Sequence, residues 1–226
     1  MKKNAENGFR RAVVIVFVSV FLLAGLPAAA ADNPVVEFYW EKAQRVGKSR
    51  DPVETGAGYS YVATSHYKKI DRKGRVENID SVRSEYFYNW GKLDSSKTLA
   101  GDPGKFKKLD LSVPDILSSD YIRYFYPNDT GGTDLAIGFD TETARDPRPV
   151  GLFSIDRERY VLRWMYLFYP MKENYKRYSR SYRFVEVEGL IFADSIWEVG
   201  AKRGIFSSEH YRLETGISDI KIYRDR

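Results

Sequence analysis

The chain has 226 residues and a formal net charge of +5, but residues 1–31 hold four Lys or Arg and one Glu, so the remaining residues carry 32 basic and 30 acidic side chains. This near balance removes the main electrostatic support for a nucleic-acid partner. The chain contains no cysteine. Disulfides and a lipobox attachment site are therefore excluded, and packing alone must hold the fold together.

Residues 1–31 have the pattern of a secretory signal peptide. A basic segment precedes the apolar run 12–26, which ends in Pro27 and four alanines, a small-residue cleavage site. An uncleaved membrane anchor is the alternative, because residues 12–31 carry no charge, although Pro27 and the alanines dilute this run. We expect cleavage before Asp32, a periplasmic location, and one domain over residues 32–226.

An amphipathic helix is the first element predicted after this segment. Asn33 suits the N-cap, Pro34 suits the first helical position, and apolar residues recur from Val35 to Val46 at helical spacing until Gly47 ends the helix. Its apolar stripe needs a surface, so we expect the helix to cover part of one face of the sheet that follows.

The rest of the chain alternates strands with short turns. A long first hairpin has strands at 59–70 and 76–90, joined by a loop in which Gly74 can supply a positive φ. Further strands are predicted at 121–126, 134–140, 150–155, 160–169, 175–188, 190–200, 204–214 and 217–223. Because short turns join nearly all of them, we predict a mainly β (α+β) fold, a curved antiparallel meander or half-open β-barrel.

The predicted hairpin of residues 150–169 is apolar on both faces. Its second strand alternates two apolar sets, which are Tyr160, Leu162, Trp164, Tyr166 and Phe168 on one face and Val161, Met165, Leu167 and Tyr169 on the other. An exposed sheet face would carry polar residues at every second position. Both faces of this strand must therefore be covered.

The interval 92–120 does not fit the meander. It is rich in glycine and proline and still carries scattered apolar residues, among them Leu109, Leu111, Val113, Ile116 and Leu117. A long loop that keeps apolar residues inside a compact domain is more often functional than a plain connector. These five residues are the candidates for a lid; a loop that merely plugs the open end of the half-open barrel fits the same pattern, and the sequence leaves both interpretations open.

Motifs for catalysis do not occur in the sequence. His66 and His210 lie far apart in predicted strands without metal-ligand spacing. The signatures of serine hydrolases, P-loop proteins and dinucleotide-binding proteins are missing. Acidic pairs such as Glu186 and Glu188 have the spacing of any solvated strand face. We therefore expect a protein that is not an enzyme and that needs no cofactor and no metal.

The order of these elements resembles the bacterial superfamily of lipoprotein localisation factors, the LolA/LolB-like fold. The resemblance rests on the signal peptide without a lipobox, the N-terminal helix, the long first hairpin, the lid-like interval and the consecutive strands. Two segments are also similar, GLFSID at 151–156 and YRFVEVEGLIFADSI at 182–196. Relatives often have a proline after the glycine turn, where this chain has Phe192, Ala193 and Asp194. The resemblance implies a half-open barrel, closed on its concave side by helices or a loop, that holds acyl chains in transit through the periplasm.

Because side chains alternate between the two faces of a strand, the sequence indicates candidates for the hydrophobic lining of such a concave face. They are Tyr121, Phe125, Leu135, Ile137, Phe139, Phe153, Ile155, Leu162, Trp164, Tyr166 and Phe168. The sequence does not show which face is concave, so the opposite parity of the 160–169 strand, with Met165, Leu167 and Tyr169, stays open.

The expected function is that of a carrier or sensor in outer-membrane lipoprotein or lipid sorting. Its partner would be a lipid or a lipidated protein, with contacts to other cell-envelope proteins and peripheral contact with a membrane compatible with this role. Each methylene moved from water into an apolar cavity contributes about 0.8 kcal/mol, so such binding needs no catalytic motif. The alternative is a structural or interaction module of the cell envelope whose core is filled by its own side chains.

Overall fold

The computed structural model describes residues 33–223 except 72, 107–108, 118–119, 126–131, 144–145 and 205–207. The predicted signal peptide lies outside the described residues. The described part contains helix α1 (Pro34–Arg50) and ten strands, which are β1 (Gly58–Ile70), β2 (Val76–Asn89), β3 (Lys92–Gly101), β4 (Ile122–Phe125), β5 (Asp134–Asp140), β6 (Val150–Asp156), β7 (Leu162–Phe168), β8 (Tyr175–Val187), β9 (Leu190–Arg203) and β10 (Ser208–Tyr223). Among these residues, no helix has both the length and the apolar character needed to cross a membrane.

Helix α1 begins where the sequence predicts and ends later. The Asn33 side chain accepts a hydrogen bond from the Val35 backbone N–H, and Pro34 occupies the first turn. The prediction that Gly47 ends the helix is wrong, because Gly47 does not have the positive φ of a terminating glycine. The helix runs on to Arg50, and Asp51 is extended because Pro52 follows it.

The strands form one open, curved antiparallel sheet, as predicted. Their spatial order is β3-β2-β1-β10-β9-β8-β7-β6-β5-β4. Strands β3 and β4 are therefore consecutive in the chain but lie at opposite edges of the sheet. In the connection between them, Ile116 and Leu117 are buried together with Trp40 of α1.

Several predictions about strand boundaries are wrong; one is the break predicted after residue 200, because β9 continues to Arg203 and β10 begins at Ser208. Residues 92–101 belong to β3 and not to a loop; this edge strand is exposed along its whole length, so it lacks the apolar alternation that marks a half-buried strand. The break predicted at Thr215 and Gly216 is absent, and β10 is continuous. Both residues pair with β1 on one side and β9 on the other, and the Thr215 hydroxyl hydrogen-bonds that of Ser65 at 2.8 Å.

The main core lies between α1 and one face of the sheet, which we call the inner face and which carries Phe153, Met165 and Tyr182 as cross-strand neighbours. Trp40 of α1 is 2% exposed and packs its indole against Phe139 and Phe153, with ring centroids 6.1 and 5.2 Å away. The expectation that the helix covers one sheet face is confirmed.

Candidate functional site

Eight of the eleven predicted lining residues lie on the inner face. Five are fully or almost fully buried in the core, and these are Leu135, Ile137, Phe139, Phe153 and Ile155. Three are partly buried against that core, and these are Tyr121, Phe125 and Leu162. Strand register explains the grouping, because Ile137 lies opposite both Phe125 and Phe153, and directly opposite residues share a face.

Trp164, Tyr166 and Phe168 lie on the other face of the sheet, so their predicted place beside the other eight is corrected. Met165 lies opposite Phe153 and is completely buried, which turns Trp164 and Tyr166 outward. Leu162 stays on the inner face because the register shifts between Ser154 and Ile155. The opposite parity that the sequence left open is the one adopted in β7.

A cavity of about 570 Å³ lies beside the core, between the C-terminal half of α1 and the inner face. Its volume is in the range of small-molecule sites in proteins. Of the eleven predicted lining residues, all of which are described, Leu162 alone borders it. The apolar wall is completed by Met165, Phe184, Ile191, Phe192, Ala193 and Ile217. Most of the predicted lining thus fills the core, and the cavity lies towards β1, β9 and β10.

All five predicted lid residues border the cavity. They lie in residues 109–117, which we call the lid segment. Ile116 and Leu117 are buried in the main core, whereas Val113 is exposed. Polar contacts attach the segment to the rest of the protein. Among them, the Trp40 indole N–H donates to the Leu117 carbonyl at 3.1 Å, the Tyr182 hydroxyl donates to the Ser112 carbonyl at 3.2 Å, and Asp110 pairs with Arg180.

A buried polar network holds the N-terminal attachment of the lid segment. Arg180 is 4% exposed and donates to the Asp110 carboxylate at 3.1 Å and to the Asp110 carbonyl. Glu198 lies 3.7 Å from the Arg180 guanidinium and accepts hydrogen bonds from the Tyr178 and Tyr211 hydroxyls. Burial alone would raise the pKa of the Asp110 carboxyl, but hydrogen bonds from Ser112 and the Arg180 charge hold it below its usual value.

Three tyrosines form one end of the cavity, which we call the tyrosine pole: Tyr59, Tyr61 and Tyr88. Tyr59 stacks on Tyr88 with ring centroids 4.7 Å apart, and the Tyr61 and Tyr88 hydroxyls are 3.0 Å apart. Burial, followed by the neighbouring Tyr88, raises the pKa of Tyr59 and Tyr61, so both stay neutral at physiological pH. Sequence analysis missed this group, although tyrosines at alternate positions in two strands of one hairpin were a signal for it.

The described residues offer no cluster of side chains that could hold a metal ion, because no three His, Asp or Glu side chains among them lie close enough together. His66 hydrogen-bonds the Ser81 hydroxyl at 2.7 Å, and His210 is exposed on β10. What the arrangement offers chemically is a cavity with an apolar wall, three tyrosines and a border that includes Lys48, Asp51 and Glu54.

Comparison with known proteins finds similarity in structure. No protein-family model matches the chain, and no curated protein matches it. A LolA superfamily protein of Nitrosomonas europaea is similar at 10% identity over 84% of this chain and 94% of that chain, with a TM-score of 0.36. A domain described as an outer membrane lipoprotein-sorting protein, from Vibrio parahaemolyticus, is similar at 10% identity with the same coverage and a TM-score of 0.44.

A chain of the MucA/MucB complex of Pseudomonas aeruginosa is also similar, at 8% identity over 83% of this chain and 100% of that chain, with a TM-score of 0.25. The Nitrosomonas europaea structure is described as a member of the superfamily that the sequence resembles. At these identities and TM-scores the similarities carry no conclusion about a ligand or a partner, so the function has to be argued from the cavity itself.

Proposed function

We propose that the protein binds the apolar chain of a lipid or of a lipidated protein in its inner-face cavity and acts as a carrier or sensor in the periplasm. The observation that carries the proposal is the cavity of about 570 Å³ with its wall of aliphatic and aromatic side chains. A chain that enters it gains about 0.8 kcal/mol for each methylene removed from water. The periplasmic location depends on the signal peptide predicted for residues 1–31.

In this proposal the lid segment controls access to the cavity. Its buried end, with Ile116 and Leu117, fixes it to the core, while Leu109, Leu111 and Val113 border the cavity with less burial. Release of the Asp110–Arg180 pair and of the Tyr182–Ser112 hydrogen bond would detach the less buried end and leave the other in place. A segment that serves as a permanent plug would stay attached while a ligand enters.

The alternative function is an interaction module of the cell envelope. It is favoured by the observation that α1 already fills most of the predicted lining region, with Trp40 and Val36 buried against the inner face. Such a protein would leave its cavity empty and would use its surface to contact other proteins.

Filling the cavity distinguishes the two functions. Ala193 borders the cavity, so Ala193→Phe places a ring in it, whereas Val199→Phe enlarges a side chain that is 44% exposed on the same strand. We expect Ala193→Phe to lower the affinity for a fluorescent fatty acid at least tenfold and Val199→Phe to leave it unchanged, with both variants folded by circular dichroism. Equal affinity in wild type and Ala193→Phe would place the ligand elsewhere and contradict the proposal.

A further inference from the structure

The tyrosine pole contains one hydroxyl that makes no hydrogen bond to another described residue and that borders the cavity. Tyr59 is 6% exposed and borders the cavity, and its hydroxyl has no hydrogen-bond partner among the described residues. The Tyr61 and Tyr88 hydroxyls, in contrast, bond each other. The Tyr59 oxygen is not among the buried atoms that lack a partner, so it is open to the cavity and to water there. A ligand whose polar end reaches Tyr59 would replace that water with a direct hydrogen bond.

The charges beside this pole are mainly negative. Asp51 lies close enough to Tyr59 to contribute to its raised pKa, after burial and Tyr88. Asp51 and Glu54 both border the cavity, and Lys48 is the single cationic side chain among the described residues that do so. A carboxylate head group placed here would be repelled, whereas an ammonium group would be attracted by the carboxylates.

We propose that the tyrosine pole and Asp51 form a head-group site that selects amphiphiles with a primary ammonium group over those with an anionic head. The ammonium donates one hydrogen bond to the Tyr59 hydroxyl oxygen and lies near the Asp51 carboxylate, while the apolar chain extends along Phe184 and Met165. This inference depends on the proposed function, because it names the chemical class of ligand for the same cavity.

Two matched pairs of ligands test the selection. Dodecylammonium and dodecanoate share one chain length and differ in head charge; lauroyl lysophosphatidylethanolamine and lauroyl lysophosphatidylglycerol share chain and phosphate and differ in the ammonium. Affinities are measured by displacement of an apolar dye from residues 32–226. We expect dodecylammonium to bind at least tenfold more tightly than dodecanoate. A similar preference in the second pair would identify a lipid head group as an acceptable source, and its absence would restrict the site to free amines.

Variants separate the head-group site from the rest of the cavity. Tyr59→Phe removes the hydroxyl and keeps the ring, and Asp51→Asn removes the charge and keeps the oxygen that accepts from the Val53 N–H at 2.6 Å. Each should lower the preference for dodecylammonium at least fivefold. Tyr86→Phe is the matched control, because Tyr86 lies on the same hairpin but does not border the cavity, and it should leave the preference unchanged.

The outcomes distinguish this inference from the function on which it depends. Dodecanoate that binds as tightly as dodecylammonium, or an unchanged preference in both Tyr59→Phe and Asp51→Asn, would overturn the head-group site and leave the cavity proposal standing. A folded protein that binds neither the dye nor any of the four amphiphiles would overturn the proposed function, and with it the head-group site.

Discussion

Substitutions of Glu198, Arg180 and Asp110, the charged residues of the buried network, should lower the free energy of unfolding in that order, with Glu198 the most costly. Breaking a buried ion pair costs about 3–5 kcal/mol when the remaining charge is left without compensation. In Arg180→Met that charge is compensated, because Glu198 keeps two hydrogen bonds from the Tyr178 and Tyr211 hydroxyls, and the Asp110 side chain is 62% exposed to water. We expect a loss of about 2 kcal/mol, the range for lost hydrogen bonds to charged groups.

Glu198→Leu should cost more, about 3–5 kcal/mol, because it leaves the guanidinium of Arg180, which is 4% exposed, without its buried counter-charge and leaves two hydroxyls without their acceptor. Asp110→Ala should cost less than about 1 kcal/mol, because that end of the pair is exposed to solvent. Urea denaturation with comparable m-values measures the three changes. A loss in Arg180→Met equal to or larger than that in Glu198→Leu would refute the reasoning.

Three other predictions concern single positions. A Cβ at Gly200 would lie 2.3 Å from the Tyr211 ring, so Gly200→Ala should cost about 1–3 kcal/mol in urea denaturation, whereas Gly216→Ala, with open space around its Cβ, should cost less than about 1 kcal/mol; equal losses would contradict the packing argument. Trp40→Phe removes the hydrogen bond from the indole N–H to the Leu117 carbonyl. The free energy of local opening of the lid segment should fall by about 1 kcal/mol, so its amides should exchange hydrogen faster. Unchanged exchange would show that this hydrogen bond does not hold the segment. Because the pKa of Asp110 is lower in the folded protein, its contribution to lid attachment is present above the unfolded pKa of about 4 and is lost as the pH falls below it. The protection of lid-segment amides against hydrogen exchange, corrected for the intrinsic exchange rate, should be constant from about pH 8 to 5 and should fall in acid. If Asp110→Asn shows the same fall, the pH dependence does not come from the Asp110 carboxylate.

The parts of the fold that follow from local chemistry were predictable. Asn33 and Pro34 mark the start of α1, and Gly74 adopts the positive φ expected of its hairpin loop. Strand β3 was not predicted, because all its residues are exposed at a sheet edge, where no burial imposes a pattern. The end of α1 was misplaced because a glycine inside a helix and one that ends it look alike in sequence, and here Pro52 decides the end of the helix.

Part of the cavity border lies where the sequence drew attention. The apolar residues predicted for the lid do border the cavity, and their action as a lid stays a prediction. The prediction of the wall was wrong at β7. A strand that is apolar on both faces does not show which of its two alternating sets of side chains faces the core; in β7 the pairing of Met165 with Phe153 decides this. The tyrosine pole depends on tertiary contact between the start of β1 and the end of β2, together with the chain around Asp51.

Native mass spectrometry of residues 32–226, purified gently from the periplasm of a Gram-negative host, tests the central claim most directly. The proposed function predicts a discrete added mass that organic solvent removes and that lipid analysis identifies as an amphiphile with an apolar chain. A bare polypeptide mass, together with no uptake of added fatty acid or lipopeptide, would contradict the claim and favour the interaction module.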